Sequence, residues 1–305
     1  MIRVGTDCSG IEAPIQALMK LNIPFHHAFS CERDEYCQQS IMANYDPSVC
    51  YSDMMDRDVS TLPDIDVYVC GFPCQPFSSA GKRQGLDDEK GRGELFWYCL
   101  EVIREKMPSC FILENVKGLI TIDEGNTFTR IIKELEDSNY DVYWKVLNTK
   151  DYGIPQQRER LYIVGIRSDL KNKFKFEWPE SKRSKPLFEY VDVNDDQTED
   201  IPDFIKRSGV LRRIPKDAVF IDIGFPNRSF INSNVECPCI TTQANVWCVP
   251  MQRRANVKEC LRLQGFPVSF KQVVSDRQMK RQIGNSMSVN VLMAIFNQLF
   301  PKLEK

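Results

Sequence analysis

Histidine is nearly absent. The 305 residues contain two, adjacent at His26 and His27, and none of the twelve cysteines falls in a Cys-x-x-Cys pair. Structural zinc sites are built from such pairs or from nearby histidines, so the sequence points away from a metal centre and from metal catalysis. The cysteines are scattered through apolar segments of a long chain, which suits reduced core thiols better than a disulfide framework. No apolar run approaches the roughly 20 residues that span a bilayer. Met1-Ile2-Arg3-Val4-Gly5 leads into an apolar stretch without a secretory leader, so an intracellular location is expected. Charge of one sign is lacking too: 40 basic residues against 42 acidic give a net charge of −2. Nucleic-acid binding would therefore depend on local charge, not on the total.

What is present is a repeated strand, loop and helix pattern. Ile2 to Gly5 reads as a strand, Gly10 opens a loop, and Pro14 sits where a first helical turn tolerates it, ahead of Ile15, Leu18 and Met19. Similar units follow at Ala28 to Cys31, Val67 to Cys70 and Phe111 to Leu113, short branched runs typical of strands buried on both faces. Leu95 to Ile103, Phe128 to Leu135 and Val289 to Phe300 carry apolar residues at helical spacing, and Leu161 to Arg167 reads as one more strand. The expected fold class is α/β, a mostly parallel open sheet with helices on both faces. In such sheets ligands bind beyond the carboxyl ends of the strands, where Gly10, Glu32, Asp53, Cys74 and Glu114 would gather. From about residue 179 to 253 the spacing turns irregular. The expected organisation is a domain over 1–178, a smaller lobe over 179–253 and a returning segment over 254–305 that completes the first.

Four stretches carry chemistry. Gly71-Phe72-Pro73-Cys74-Gln75-Pro76-Phe77-Ser78 holds a thiol between two prolines, whose restricted backbone suits a side chain with a fixed direction. Glu114-Asn115-Val116 sets a carboxyl group at a strand end, a position that equally suits a cap or an ion pair. Gln156-Gln157-Arg158-Glu159-Arg160 places two guanidinium forks on one face of an extended chain, fit for phosphate, a base carbonyl or structural ion pairs. Gln282-Ile283-Gly284-Asn285-Ser286 precedes the last helix, where Asn-Ser could also cap.

In this order and spacing the four stretches resemble the DNA (cytosine-5)-methyltransferase family, with the likeness running from Arg3 to about Leu299 apart from the irregular lobe. The resemblance implies a methyltransferase fold of the Rossmann-like type with S-adenosylmethionine as cofactor and double-stranded DNA as partner. It implies no metal and no membrane, a monomer or weak dimer, and the cytoplasm of a prokaryote or, for a viral protein, of its host. Cys74 would attack carbon 6 of a flipped cytosine, so that carbon 5 accepts a methyl group and then loses its proton. Glu114 would bind the ring nitrogen and exocyclic amine, Arg160 the base carbonyl, and Arg158 would help hold the thiolate, with Asn115 orienting the loop. Cys8, Ser9, Gly10 and Ile11 would approach the cofactor, Glu32 its ribose hydroxyls and Asp53 its adenine amine. Arg33, Met54, Leu95, Asn285 and Met287 would line the same site. Gln75, Ser78, Arg92, Thr241, Thr242 and Arg253 would meet DNA. Two departures stand out: Cys8 replaces an aromatic residue and Glu12 a second glycine, which implies weakened cofactor affinity. The alternatives are a transfer-RNA methyltransferase of the same family, against which the absence of a Cys-Phe-Thr element counts, and a non-catalytic DNA-binding member.

Overall fold

The structure is a computed structural model that describes residues 1–72, 95–170, 176–201, 203–207, 210–224 and 233–303. Its described residues fall into two compact units. One comprises Met1–Leu147, Glu159–Pro179 and Leu292–Lys305, and the other Asn148–Arg158 and Glu180–Val291.

The first unit opens with β1 (Ile2–Asp7), α1 (Ala13–Leu21), β2 (Phe25–Cys31), α2 (Glu35–Asn44), β3 (Cys50–Tyr51) and β4 (Val67–Cys70). It continues through α3 (Leu95–Lys106), β5 (Cys110–Val116), α4 (Asn126–Glu136), β6 (Tyr140–Asn148) and β7 (Glu159–Arg167). The seven strands form one sheet in the order β3-β2-β1-β4-β5-β7-β6. Pairing is parallel from β3 to β5, but β7 runs antiparallel to β5. The chain winds outward from β1 in both directions, and right-handed crossovers set α1 and α2 on one face and α3 on the other. Buried Phe29, Tyr68, Phe96, Phe111 and Leu113 are part of the unit's apolar core. The sequence pattern anticipates β1, β2, β4, β5 and β7; β3, β6 and the reversed direction of β7 are additions.

Strand order reverses between β1 and β4, the position at which open sheets leave a ligand crevice. Register makes this concrete. Asp7 is level with Cys31 of β2 and Cys70 of β4, and Cys70 is level with Leu113 of β5. The next residues along each strand, Cys8, Glu32, Gly71 and Glu114, therefore emerge along one edge of the sheet.

The second unit contains α5 (Asp203–Arg207) and an antiparallel sheet of β8 (Phe220–Asp222), β9 (Val246–Cys248) and β10 (Arg253–Arg254) around Ala218, Ile221, Ile223 and Trp247. It also contains α6 (Val257–Gln264), α7 (Asp276–Asn285) and the start of α8 (Val289–Leu303). The sequence reading placed α6 and α7 with the returning segment; here they cluster with the β8–β10 sheet. Asn256 and Glu259 form a reciprocal capping box at the start of α6, and Glu259 also holds Arg253 of β10. No helix among the described residues is long and apolar enough to cross a membrane.

Candidate active site

Cys74, Gln75, Ser78 and Arg92 lie outside the described residues. The strand that leads to them is described: Phe72 is buried against Phe96, and the Asn115 side-chain amide donates to the Phe72 carbonyl at 3.2 Å. Asn115 Oδ1 in turn accepts from the Val116 N–H at 2.9 Å. The strand carrying Glu114 thus fixes the backbone two residues before Cys74.

Glu114 is nearly buried at the end of β5, and Arg160 Nε lies 3.3 Å from its Oε1. Val116 is paired with Arg160 and Glu114 with Tyr162, so Glu114 and Arg160 are diagonal neighbours on one face. Antiparallel β7 brings its first residues to the edge where β5 ends.

Arg158 does not share that arrangement. It precedes β7, so strand alternation does not extend to it, and its guanidinium is buried in the second unit. There it donates to the carbonyls of Ile240 at 3.0 Å, Gly284 at 3.2 Å and Ser286 at 2.7 Å. Gln156 works alongside: its Oε1 accepts from the Ile240 N–H at 3.0 Å, and its Nε2 donates to the Leu263 carbonyl at 2.8 Å. Gly284 is required here, since a Cβ would stand 2.4 Å from the Thr241 carbonyl carbon and 2.6 Å from the Thr242 nitrogen. Two of the four sequence stretches therefore form a clamp that seats the Thr241-Thr242 backbone and leaves both threonine side chains exposed. Asn285 is exposed at the end of α7 and Met287 is buried beyond it.

Arg253 corrects the sequence reading. Expected at DNA, it is buried, with Nη1 donating to Glu259 Oε2 at 2.8 Å and Nε 3.3 Å from Asp195 Oδ2. A guanidinium neutralised inside the fold offers no charge to phosphate.

The loop after β1 fits a ligand. Gly10 has φ +57°, and nothing lies within 4 Å of the position a Cβ would take, which leaves a cradle against backbone. Its N–H donates to Glu32 Oε2 at 2.7 Å, and Glu32 Oε1 accepts from the Asp34 N–H at 2.9 Å. Burial pushes the Glu32 carboxyl above its ordinary range, against the pull of those two N–H groups. Ser9 is bound through its hydroxyl to the backbone of Cys31, and Ile11 is wholly buried. Cys8 is half-buried with its Sγ 3.9 Å from Met54 Sδ. A hydrogen bond with Cys70 draws its pKa down, but burial and the neighbouring Cys99, Glu32 and Asp7 outweigh this and raise it, so it is held as a thiol. Leu95 is half-buried at the start of α3. Arg33, expected to line the cofactor site, reaches Asp53 at 3.4 Å while its side chain is 82% exposed. Such a surface pair is worth at most about 1 kcal/mol and does not lock either group.

Sequence reasoning missed the anchor beneath this site. Arg57 binds both oxygens of buried Asp7, one at 2.6 Å, and lies over the rings of Phe29 and Tyr51 at 5.2 and 5.5 Å. The Tyr68 hydroxyl adds a 2.5 Å bond to Asp7. The loop carrying Asp53 and Met54 is thereby tied to the end of β1. An Asp at a strand end and an Arg 50 residues later leave no local pattern to find.

Comparisons with known proteins identify the family. The chain is 37% identical over 287 residues to the type II methyltransferase M.HaeII of Haemophilus aegyptius, covering 91% of this chain and 86% of that one. It is 38% identical over 289 residues to M.NgoBI of Neisseria gonorrhoeae, covering 90% and 87%. Among solved structures, the S. pombe Dnmt2 methyltransferase superposes with a TM-score of 0.72 at 21% identity over the whole of both chains, a likeness of fold. The family described as C-5 cytosine-specific DNA methylase matches residues 7–301. The chain belongs to that family: it is a DNA (cytosine-5)-methyltransferase that works with S-adenosylmethionine.

Proposed function

We propose that Cys74 is the nucleophile of this enzyme and that Glu114 and Arg160 hold the target cytosine, extruded from duplex DNA, for its attack. The observation that carries this is the Glu114–Arg160 pair at the sheet edge from which Phe72 leads to Cys74. A carboxyl group beside the ring nitrogen and exocyclic amine, with a guanidinium aimed at the carbonyl oxygen, matches the polar edge of cytosine and not of thymine. As the Cys74 thiolate sulfur bonds to carbon 6, Glu114 in its acid form gives a proton or hydrogen bond to the ring nitrogen and so neutralises the negative charge arriving on the ring. S-adenosylmethionine supplies the methyl group when bound. Loss of the carbon-5 proton then expels the sulfur and restores the aromatic ring.

Cys8 to Ile11, Glu32, Arg33, Asp53, Met54 and Leu95 form the cofactor side in this proposal, and the family motif assigns Asn285 and Met287 to the cofactor as well. Gln75, Ser78, Arg92, Thr241 and Thr242 meet DNA. Arg158 acts through the loops it clamps and is a positioning residue. The segment 1–178 carries the catalytic residues, and 179–253 reads the target. The enzyme works inside the cell as a monomer or weak dimer, and the names of its bacterial relatives support a type II modification role.

Incubation with a duplex carrying 5-fluorocytosine in each candidate site should trap a covalent adduct on wild type and none on Cys74→Ser, while bisulfite sequencing of DNA from expressing cells reads the target. An adduct on Cys74→Ser, or methyl transfer to transfer RNA without transfer to duplex DNA, would overturn the proposal.

A further inference from the structure

We propose that Glu12 is a positioning residue for S-adenosylmethionine: its buried carboxylate, held by Thr6 and Ser30, sets the loop that Gly10 opens to the cofactor. This rests on the cofactor reading of that loop. Glu12 is wholly buried, with φ 58° and ψ 51°, a left-handed backbone that glycine adopts without strain. Backbone geometry alone would thus be met better by glycine, and the side chain is what glycine could not supply.

That side chain is the hub of a polar cluster. Its Oε1 accepts from Thr6 Oγ1 at 2.7 Å and from Ser30 Oγ at 2.5 Å, and lies 3.4 Å from His27 Nε2. Thr6 Oγ1 is also 2.8 Å from Ser9 Oγ, which accepts from the Cys31 N–H at 3.1 Å. One residue on, the Gly10 N–H is bound to Glu32 at 2.7 Å. The carboxylate therefore joins β1, through Thr6, to β2, through Ser30, immediately beneath the two residues whose backbone forms the cradle. Glu12 Oε2 and His27 Nδ1 are buried and have no hydrogen-bond partner among the described residues. A cluster that leaves polar atoms unpaired is a poor device for stability alone. Removing the carboxylate frees the Thr6 and Ser30 hydroxyls to seek other acceptors, and Ser9 and Gly10 move with them.

Calorimetric titration of S-adenosylmethionine into wild type, Glu12→Gly, Glu12→Gln and Ser30→Ala tests this, with thermal unfolding as a check on folding and steady-state kinetics alongside. If Glu12 only tolerates its backbone, Glu12→Gly will bind as well as wild type or better. The expected result is the reverse: a Kd about tenfold or more higher for Glu12→Gly, with the KM for DNA unchanged. Glu12→Gln keeps an oxygen for Thr6 and Ser30 and should stay within about threefold of wild type, and Ser30→Ala should fall between them. Should Glu12→Gly fail to fold, Ser30→Ala still decides. Wild-type affinity in Glu12→Gly or Ser30→Ala would overturn the proposal alone, as would equal losses toward cofactor and DNA. Absence of binding by wild type would overturn the cofactor reading beneath it.

Discussion

Arg160 Nε stands 3.3 Å from Glu114 Oε1 because β7 runs antiparallel to β5. A parallel strand would deliver its last residues to this edge, and Arg160 would lie at the opposite end of the sheet. One reversed strand thus brings a guanidinium to a carboxylate 46 positions earlier in the chain (160 − 114) and gives the pair its shared face.

Glu114→Gln removes the acid that protonates the ring nitrogen as the thiolate adds, and is expected to lower kcat by about 10²–10⁴-fold. Arg160→Ala is expected to cost about 10²-fold in kcat/KM. Because the two act as a unit, the double variant should lose much less than the product of the single losses. A steady-state cycle on one duplex checks this, and fully additive losses would separate the two residues.

Arg57→Ala strands the Asp7 carboxylate in the core. Both side chains are nearly fully buried, so breaking the pair should cost about 3–5 kcal/mol in urea unfolding. The loop holding Asp53 and Met54 loses its tether in the same step, so S-adenosylmethionine affinity should fall as well. Replacing Asp7 and Arg57 together by apolar residues should recover much of the stability, since no charge is left buried alone.

The parallel core of the sheet was legible because strands buried on both faces leave short branched runs in a chain that otherwise alternates with helices. β6 was not: most of Tyr140 to Asn148 is only partly buried or exposed, so its hydrophobic signal is diluted. α6 left a readable mark in Asn256, Glu259 and Gly265, the capping box and left-handed stop of a helix, and that mark was passed over. Glu114 and Arg160 were legible as motif residues, but their pairing depends on strand direction, which local sequence does not encode. Arg158 was read as a support for the thiolate and neighbouring backbone and Arg253 as a DNA contact, because arginine has the same fork whether it meets an anion or main-chain carbonyls. Only burial tells these apart.

Stability should depend on acid through Asp66. Burial alone would raise this carboxyl, but hydrogen bonds from the Arg3 guanidinium and N–H, together with its charge, hold it below the ordinary 3.8. A carboxyl depressed on folding contributes stability above its unfolded pKa and loses it as pH falls through the folded value. At 35% exposure, solvent screening limits the contribution to about 1 kcal/mol. Asp66→Asn should therefore be less stable than wild type by about that amount at pH 7, with the gap closing as pH falls below the ordinary 3.8 and through the lowered folded value. A constant gap across the range would rule out the ion pair as its source.

In the proposed reading, the second unit assigns stability and recognition to two nearby places in sequence. Arg253 is buried against Glu259 and Asp195, and truncating it leaves Glu259 wholly buried without its counter-charge, so Arg253→Ala should cost about 3–5 kcal/mol. Its surviving folded fraction should still methylate the wild-type target sequence. Thr241 and Thr242 are exposed side chains on a backbone pinned by Gly284, Arg158 and Gln156, so replacing them should move the urea midpoint little. Their variants should instead change which sites are methylated in a randomised duplex library read by bisulfite sequencing. A folded Arg253 variant with a shifted target, or threonine variants that lose stability and keep their target, would reverse this assignment and return Arg253 to the DNA surface.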